Sequence, residues 1–200
     1  MDFLEYELRS EALVMGERIK GALFRPCART IRYSQITGAL RRRFDGDDLH
    51  AAGCLVAAPG YNLSEVLLYA PRDRLTALSK IPLQVEFLRN VLGKVYLPAT
   101  PAAQRLPRDF EITLGALISR GFGVCTLHQC RVIDGQQRER GLLNTRIPLE
   151  HAPTFGIAEV RAPRYGYLFN PTSAHGGVYV LSLFEGSVVS APVFLLRPGR

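Results

Sequence analysis

Residues 34–44, SQITGALRRRF, carry the local pattern that decides most about the fold. The apolar side chains of Ile36, Leu40 and Phe44 recur every four positions, which is typical of one buried face of an α-helix. Ser34 is a residue type that often caps the start of a helix. The stretch therefore predicts a short helix near the beginning of the chain.

The end of this helix is basic. Arg41, Arg42 and Arg43 fall in its last turn, where positive charge also favours the helix dipole. The whole chain has 200 residues and a net charge of +7, and arginine outnumbers lysine by 22 to 3. Arginine offers a rigid fork of donors that matches phosphate oxygens, so the excess indicates contact with nucleic acid. A GC-rich genome, which favours arginine codons, would explain the same composition.

Strand patterns surround the helix. Residues 2–9 place Leu4, Tyr6 and Leu8 on one face and mostly charged side chains on the other, as in a half-buried antiparallel strand. Three further segments favour strands, at 52–58, 65–70 and 83–88.

A second helix is predicted over residues 109–119. Asp109 can cap it, and Phe110, Leu114 and Leu117 form an apolar stripe. A strand over 124–133 follows. The predicted order β-α-β-β-α-β over residues 2–133 is that of a ferredoxin-like fold of the α+β class.

The C-terminal third is predicted to be rich in β structure. Short strands separated by Pro and Gly follow the polar loop 134–141. The last two, 178–184 and 188–195, flank Glu185-Gly186 and are expected to form a hairpin. We therefore expect one domain over residues 1–133, with an inserted loop at about 59–107, and a β-rich extension over 134–200.

The start of the chain lacks a charged segment followed by an apolar run, so we expect no secretion signal and a cytoplasmic protein. The longest uncharged stretch, residues 165–184, contains Asn170, Pro171 and paired glycines, which a membrane-spanning helix would not tolerate in this number. We expect no membrane association.

The signatures of common enzymes are absent, including phosphate-binding glycine loops, the zinc motif H-E-x-x-H and the nucleophile motif G-x-S-x-G. The histidines and cysteines have no metal-ligand spacing, so we expect neither a metal nor a cofactor. Histidine can act as the general base for attack by an RNA 2′-hydroxyl. His50 and His128 are therefore the candidates if the chain is catalytic, and a structural or surface role is the alternative for each.

Residues 115–124, GALISRGFGV, form a glycine-rich turn before a strand. Gly121 and Gly123 would let a phosphate backbone approach closely, because neither has a Cβ atom. Arg120 would supply positive charge and Phe122 a ring on which a base could stack. A helix C-cap followed by a strand bulge is the structural alternative.

The two stretches together resemble the RAMP superfamily of CRISPR-associated proteins, over roughly residues 1–133. Members of that superfamily carry a helix similar to ITGALRRRF and a later glycine-rich loop similar to SRGFGV, in an RRM-like ferredoxin fold. The chain departs from the pattern in having a single glycine, Gly38, in the first helix, and a short segment before that helix.

Within the superfamily the chain is most similar to the five-prime-handle-binding (Cas-five-type) subunit of a type III-like effector complex. The resemblance implies that crRNA, backbone RAMP proteins and a large subunit are partners, and that the segment 59–107 holds a thumb-like hairpin. It also implies that RNA contacts Arg41, Arg42, Arg43, Arg120, Gly121, Phe122 and Gly123. A cutting role, which the backbone branch assigns to a loop aspartate, would fall on Asp45, Asp47 or Asp48.

Three functions follow as hypotheses. The first is a non-catalytic crRNA-binding subunit that caps the 5′ handle of the guide. The second is a metal-independent endoribonuclease of the same superfamily, which would use His50 or His128. The third is a protein-only scaffold or an unrelated β-rich domain, with arginines that serve only solubility.

Overall fold

The computed structural model describes residues 1–16, 23–73, 75–171 and 176–198. Strands dominate these residues, and helices are few and mostly short. In chain order the elements are β1 Asp2–Leu13, β2 Phe24–Arg25, α1 Tyr33–Phe44, β3 Ala52–Leu55, β4 Leu63–Tyr69, β5 Leu83–Pro98, α2 Pro101–Gln104, β6 Asp109–Thr113, β7 Val124–Asp134, β8 Arg138–Leu142, β9 Ile147–Pro148, β10 Glu159–Ala162, β11 Tyr165–Pro171, β12 Gly177–Leu183 and β13 Val188–Pro192. The mixed α+β class predicted from the sequence is confirmed.

The described part of the chain builds its largest sheet around two long strands, β1 and β5. The strand order is β2–β5–β1–β7–β6, and β3 and β4 also pair with β5. All of these pairings are antiparallel except that of β2 with β5. The strand predicted over 2–9 is β1, and the one predicted over 124–133 is β7. The predicted segments at 52–58, 65–70 and 83–88 correspond to β3, β4 and the first part of β5.

Helix α1 covers one face of this sheet, as its apolar spacing predicts. Ile36 and Leu40 are fully buried in a core that also contains Tyr6, Leu8 and Leu127 from β1 and β7. The predicted cap is wrong: Arg32 is the N-cap residue and no side chain caps the helix, so Ser34 lies inside its first turn. The helix ends at Asp45, which adopts a left-handed backbone conformation.

The predicted helix over 109–119 does not form. Residues 109–113 are instead the edge strand β6, followed by a turn and a short 3-10 helix, Ile118–Arg120. The physical reason lies in the spacing: Phe110, Ile112 and Leu114 alternate with exposed polar residues, and all three are buried. This two-residue period is better satisfied by pairing with β7 than by a helix. The helix between β5 and β7 is the single turn α2, which Thr100 caps by accepting a hydrogen bond from the Ala103 N–H at 3.2 Å.

The segment 59–107 contains regular structure over much of its length. It includes β4, β5 and α2, and residues 70–82 connect β4 to β5. The first half of β5 pairs with β4 in a hairpin, while its second half lies at the centre of the sheet against β1. The hairpin thus extends directly from a core strand.

The C-terminal third forms two small sheets, with strand orders β10–β13–β8 and β11–β12–β9. The predicted hairpin is wrong, because β12 and β13 belong to different sheets. The turn between them is anchored to an earlier segment of the chain. The Arg146 guanidinium donates to both carboxylate oxygens of Glu185, at 2.6 and 2.8 Å. The Gly186 N–H donates to the Leu143 carbonyl at 2.8 Å. This anchoring directs the two strands apart.

A second core joins the C-terminal sheets to the free face of the central sheet. Phe3 and Tyr96 contribute from β1 and β5, and Phe155, Leu183 and Val189 contribute from the C-terminal third. The two parts of the chain therefore share one set of buried side chains.

Candidate nucleic-acid interface

The three arginines at the end of α1 have two different environments. Arg42 and Arg43 are exposed and line a cavity of about 440 Å³ between α1 and the edge strand β6. Glu111 and Thr113 line the opposite side of that cavity. Arg41 is half-buried, and its Nε donates to the Leu49 carbonyl oxygen at 2.9 Å. Because residues of a helix are rotated by about 100° from one to the next, only two of the three can face the cavity.

The glycine turn is fixed mainly by its own backbone. Gly123 has φ +85°, and a Cβ atom there would lie 2.1 Å from the Leu114 carbonyl oxygen. Its N–H donates to the Ala12 carbonyl at 2.8 Å, and the Gly121 N–H donates to the Ile118 carbonyl at 3.1 Å. Both N–H groups are thus engaged within the chain. Neither N–H group is therefore available to donate to a phosphate backbone.

The side chains of this turn pack against the β4–β5 hairpin. The Arg120 guanidinium lies 5.0 Å from the centre of the Tyr69 ring, and Phe122 meets Phe87 edge-on at 5.2 Å. Gly121 is different, since it has open space around it and borders a second cavity of about 480 Å³. Arg120 and Gly121 are therefore exposed to solvent, whereas Phe122 is half-buried.

This second cavity runs over the exposed face of β1, β7 and β6. Arg9, Tyr61 and Asn90 line it, and it shares Glu111 and Val124 with the cavity beside α1. The two predicted groups of RNA-binding residues thus border neighbouring cavities separated by the end of β6.

The same sheet face carries several carboxylates. Glu7, Asp109 and Glu111 lie there, and Glu7 accepts a hydrogen bond from the Arg9 guanidinium at 2.6 Å. Basic side chains lie on the same face, because Arg9 binds Glu7, and both Lys94 and Arg131 bind Glu5. Much of its charge is thus paired within the sheet, whereas α1 exposes two adjacent arginines in its last turn.

His50 lies in a cluster that the sequence analysis missed. The Tyr33 hydroxyl and His50 Nδ1 are 2.5 Å apart, and the His151 ring stacks on Tyr33 at 4.9 Å. The two imidazole rings are 4.8 Å apart. Residues 50 and 151 are too distant in the chain for any local pattern to pair them, and a tyrosine at the start of a helix carries no signal of its own.

Burial sets the protonation of this cluster. It lowers the pKa of His50 below its ordinary value, and the nearby Arg41 and His151 add to that effect. Burial also lowers the pKa of His151, opposed by Glu150 and reinforced by Arg41. The pKa of Tyr33 is raised to about 12 by burial. At neutral pH the cluster holds two neutral imidazoles and a neutral phenol.

His128, the other catalytic candidate, lies on the exposed face of β7. It is hydrogen-bonded to Asp109, its partner across the β6–β7 pair, and it sits opposite Glu7 of β1. The structure does not bring it into the His50 cluster. His175 lies outside the described residues.

Tyr96 is 3% exposed and packs on Phe194 at 4.5 Å, so its ring is not available to a ligand. Asp45, Asp47 and Asp48 are exposed in the turn after α1.

Among the described residues no helix is both long and apolar enough to cross a membrane. In the same residues no three side chains of the His, Cys, Asp and Glu types come together as metal ligands would.

No family model matches this chain, and no curated protein sequence matches it. Solved structures do resemble it. One is a chain of the cryo-EM structure of the Type III-B Cmr-beta bound to cognate target RNA, with a TM-score of 0.61 and 11% identity over 93% of this chain and 86% of that one. Another comes from the same assembly bound to cognate target RNA and AMPPnP, with a TM-score of 0.57 and 9% identity over 95% of this chain and 86% of that one. The chain thus has the fold of a chain of the Type III-B Cmr-beta.

Proposed function

We propose that this protein is a non-catalytic crRNA-binding subunit of a cytoplasmic, multi-subunit CRISPR ribonucleoprotein effector, in which it caps the 5′ handle of the guide. The observation that carries the proposal is the pair Arg42 and Arg43, exposed side by side along a cavity next to an open sheet edge. Their guanidinium groups can each form two hydrogen bonds with a phosphate.

The fold gives independent support. Strands β7, β1, β5 and β3 lie next to one another in that order, α1 joins β1 to β3, and α2 lies between β5 and β7. This order supports the proposal of a ferredoxin-like domain, in which the second helix would be reduced to one turn and β6 would be added at the edge. The RAMP superfamily uses the same domain class, and the structures of similar fold belong to an RNA-bound assembly.

The β4–β5 hairpin is suited to the thumb-like role that the family resemblance implies. Its connection exposes large apolar side chains, among them Leu75 at 97%. Exposed apolar clusters of this kind are typical of contacts between subunits. Backbone RAMP proteins and a large subunit are the partners we propose for it.

The test is to express the chain with its partner subunits and identify the RNA that purifies with them. We expect a short guide with a constant 5′ handle, and tighter binding to RNA with that handle than to RNA with the same bases shuffled. A complex free of nucleic acid, or equal affinity for both RNAs, would overturn the capping role.

A metal-independent endoribonuclease is the second candidate, and the Tyr33–His50–His151 cluster favours it. A neutral imidazole can accept the proton of an RNA 2′-hydroxyl while the oxygen attacks the adjacent phosphorus. The imidazolium formed in that step can give the same proton to the departing 5′-oxygen, directly or through the second imidazole 4.8 Å away, which leaves a cyclic phosphate and a 5′-hydroxyl.

This candidate is tested by incubating the chain with repeat RNA in EDTA. Cleavage at one position that is abolished in both His50→Ala and His151→Ala would establish the activity. His128→Ala is the matched control, because His128 lies outside the cluster. Intact RNA after incubation with the wild-type chain excludes this candidate.

A further inference from the structure

The two faces of the β11–β12 strand pair differ in exposure over its central part. On one face Leu168 and Ser182 are 3% and 0% exposed, whereas Val178 near the turn is 52% exposed. The register pairs Tyr167 with Leu181 and Phe169 with Tyr179, which places these four side chains on the other face. Tyr167 and Tyr179 are 67% and 62% exposed there.

Tyr165 continues this row at the start of β11 and is 54% exposed, although its cross-strand partner Leu183 is fully buried in the second core. Side chains two residues apart on a strand are about 7 Å apart, and direct cross-strand neighbours about 5 Å. The result is a group of flat aromatic rings on one face of a strand pair. Successive bases of a single strand can be spread over such spacings when they stack on protein rings.

The charge around this face distinguishes it from the other exposed sheet face. Residues 165–183 contain no Asp, Glu, Lys or Arg. Arg161 and Arg164 are exposed just before β11. The face of β1, β7 and β6, by contrast, carries charges of both signs, among them Asp109 and Arg9. RNA over the tyrosines meets no carboxylate from residues 165–183.

The tyrosine-bearing strand also contacts the helix of the proposed phosphate site. Strand β11 lies beside α1, the helix that carries Arg42 and Arg43 in its last turn. The two proposed RNA contacts are therefore carried by elements that touch each other.

We propose that Tyr165, Tyr167 and Tyr179 form a stacking platform for the bases of single-stranded RNA. The proposal rests on the RNA-binding function proposed above, and it adds a base-contacting surface in the C-terminal third. Stacking tolerates any base, so the platform holds RNA without reading its sequence.

The chain contains no tryptophan, which allows a direct test. Tyr167→Trp and Tyr179→Trp each introduce the sole indole on the platform. Val132→Trp, at a position 56% exposed on β7, is the matched control. We expect a short unstructured oligouridylate to quench the fluorescence of the two platform variants and to leave that of the control nearly unchanged.

Affinity measurements complete the test. Tyr167→Ala and Tyr179→Ala should each weaken RNA binding by about 5- to 150-fold, the range found for the loss of one base–ring stack. Tyr167→Phe should bind like the wild type, because it keeps the ring. The salt dependence of binding should not change, because stacking releases no counterions.

The outcomes separate this inference from the proposed function. If the alanine variants bind as the wild type does while Arg42→Ala and Arg43→Ala bind weakly, the platform is overturned and the RNA-binding function stands. If the wild type binds no RNA, alone or with its partners, both are overturned. If the tyrosine variants keep their RNA affinity but no longer purify with another subunit, the face is a protein interface and the platform is overturned.

Discussion

At the scale of single residues, neighbouring arginines in α1 have different surroundings and should have different effects. Arg42 and Arg43 line the cavity, whereas Arg41 donates to the Leu49 carbonyl. We expect Arg42→Ala plus Arg43→Ala to weaken RNA binding for all sequences. The log–log salt slope should fall by roughly one unit for each phosphate that no longer has an arginine partner. Titration of labelled RNA at several salt concentrations measures both.

Arg41→Ala is the matched control. It should cost about 1 kcal/mol of stability because it removes the hydrogen bond to Leu49, and it should leave the salt slope nearly unchanged. If the salt slope falls equally in the Arg41 variant and in the double variant, the claim that only Arg42 and Arg43 contact phosphate is wrong.

The His50–His151 cluster gives a second residue-scale prediction, for acid sensitivity. The folded-state pKa of both histidines lies below the ordinary value of 6.5, with burial as the main cause. The unfolded chain therefore binds more protons than the folded chain as the pH falls through 6.5, and stability decreases. Above that pH their contribution is fully present.

Denaturant unfolding measured from about pH 7 to about pH 5 tests this, because most carboxylates stay ionised in that window. His50→Gln plus His151→Gln should flatten the decrease. An equal decrease in the wild type and the double variant would contradict the prediction.

At the scale of elements, α1 and β6 show when a local sequence pattern is enough to predict the secondary structure. In α1 the apolar residues recur only every four positions, so a single regular structure fits. In residues 109–119, Phe110 and Leu114 fit a helix, but Phe110, Ile112 and Leu114 fit a strand equally well. Only the neighbouring strand β7, which pairs with residues 109–113, decides between them.

Long-range contacts also account for the other differences from the sequence-based predictions. The local sequence at Glu185-Gly186 predicts a hairpin turn. In the structure, however, Arg146, about forty residues earlier, binds Glu185, and the two strands join different sheets. The same holds for the candidate site. The basic end of α1 and the exposed Gly121 can be read from the sequence, but the meeting of Tyr33, His50 and His151 depends on how the C-terminal third packs.

The glycine turn gives the element-scale prediction, because its two glycines differ. Gly121→Ala should lose about 1 kcal/mol through its left-handed backbone alone. Gly123→Ala should lose several times more, because its Cβ would also collide with the Leu114 carbonyl. Arg120→Ala should melt nearly as the wild type does and bind RNA less tightly.

Thermal unfolding and RNA affinity measured on the same three variants test this. Equal stability losses at the two glycines would contradict the structural account. If Arg120→Ala keeps full RNA affinity, the turn serves only the fold, and Arg120 is not an RNA contact.

At the scale of the whole molecule, the question is whether the two parts of the chain fold separately. Phe155 of the C-terminal third is fully buried, stacks on Phe3 of β1 at 6.3 Å and meets Tyr33 of α1 edge-on at 6.1 Å. Because this core is shared, we expect denaturation of the full chain to give one transition by circular dichroism and by tyrosine fluorescence.

Phe155→Ala should reduce the free energy of unfolding by about 3–5 kcal/mol while keeping that single transition. Val193→Ala, at a position 41% exposed, should change it by less than about 0.5 kcal/mol. A fragment ending at Asp134 would expose Phe3 and Tyr96 to water, so it should not unfold cooperatively. Two separate transitions in the full chain, or a cooperatively folded fragment, would mean that the two parts are independent and that the boundary near residue 133 divides true domains.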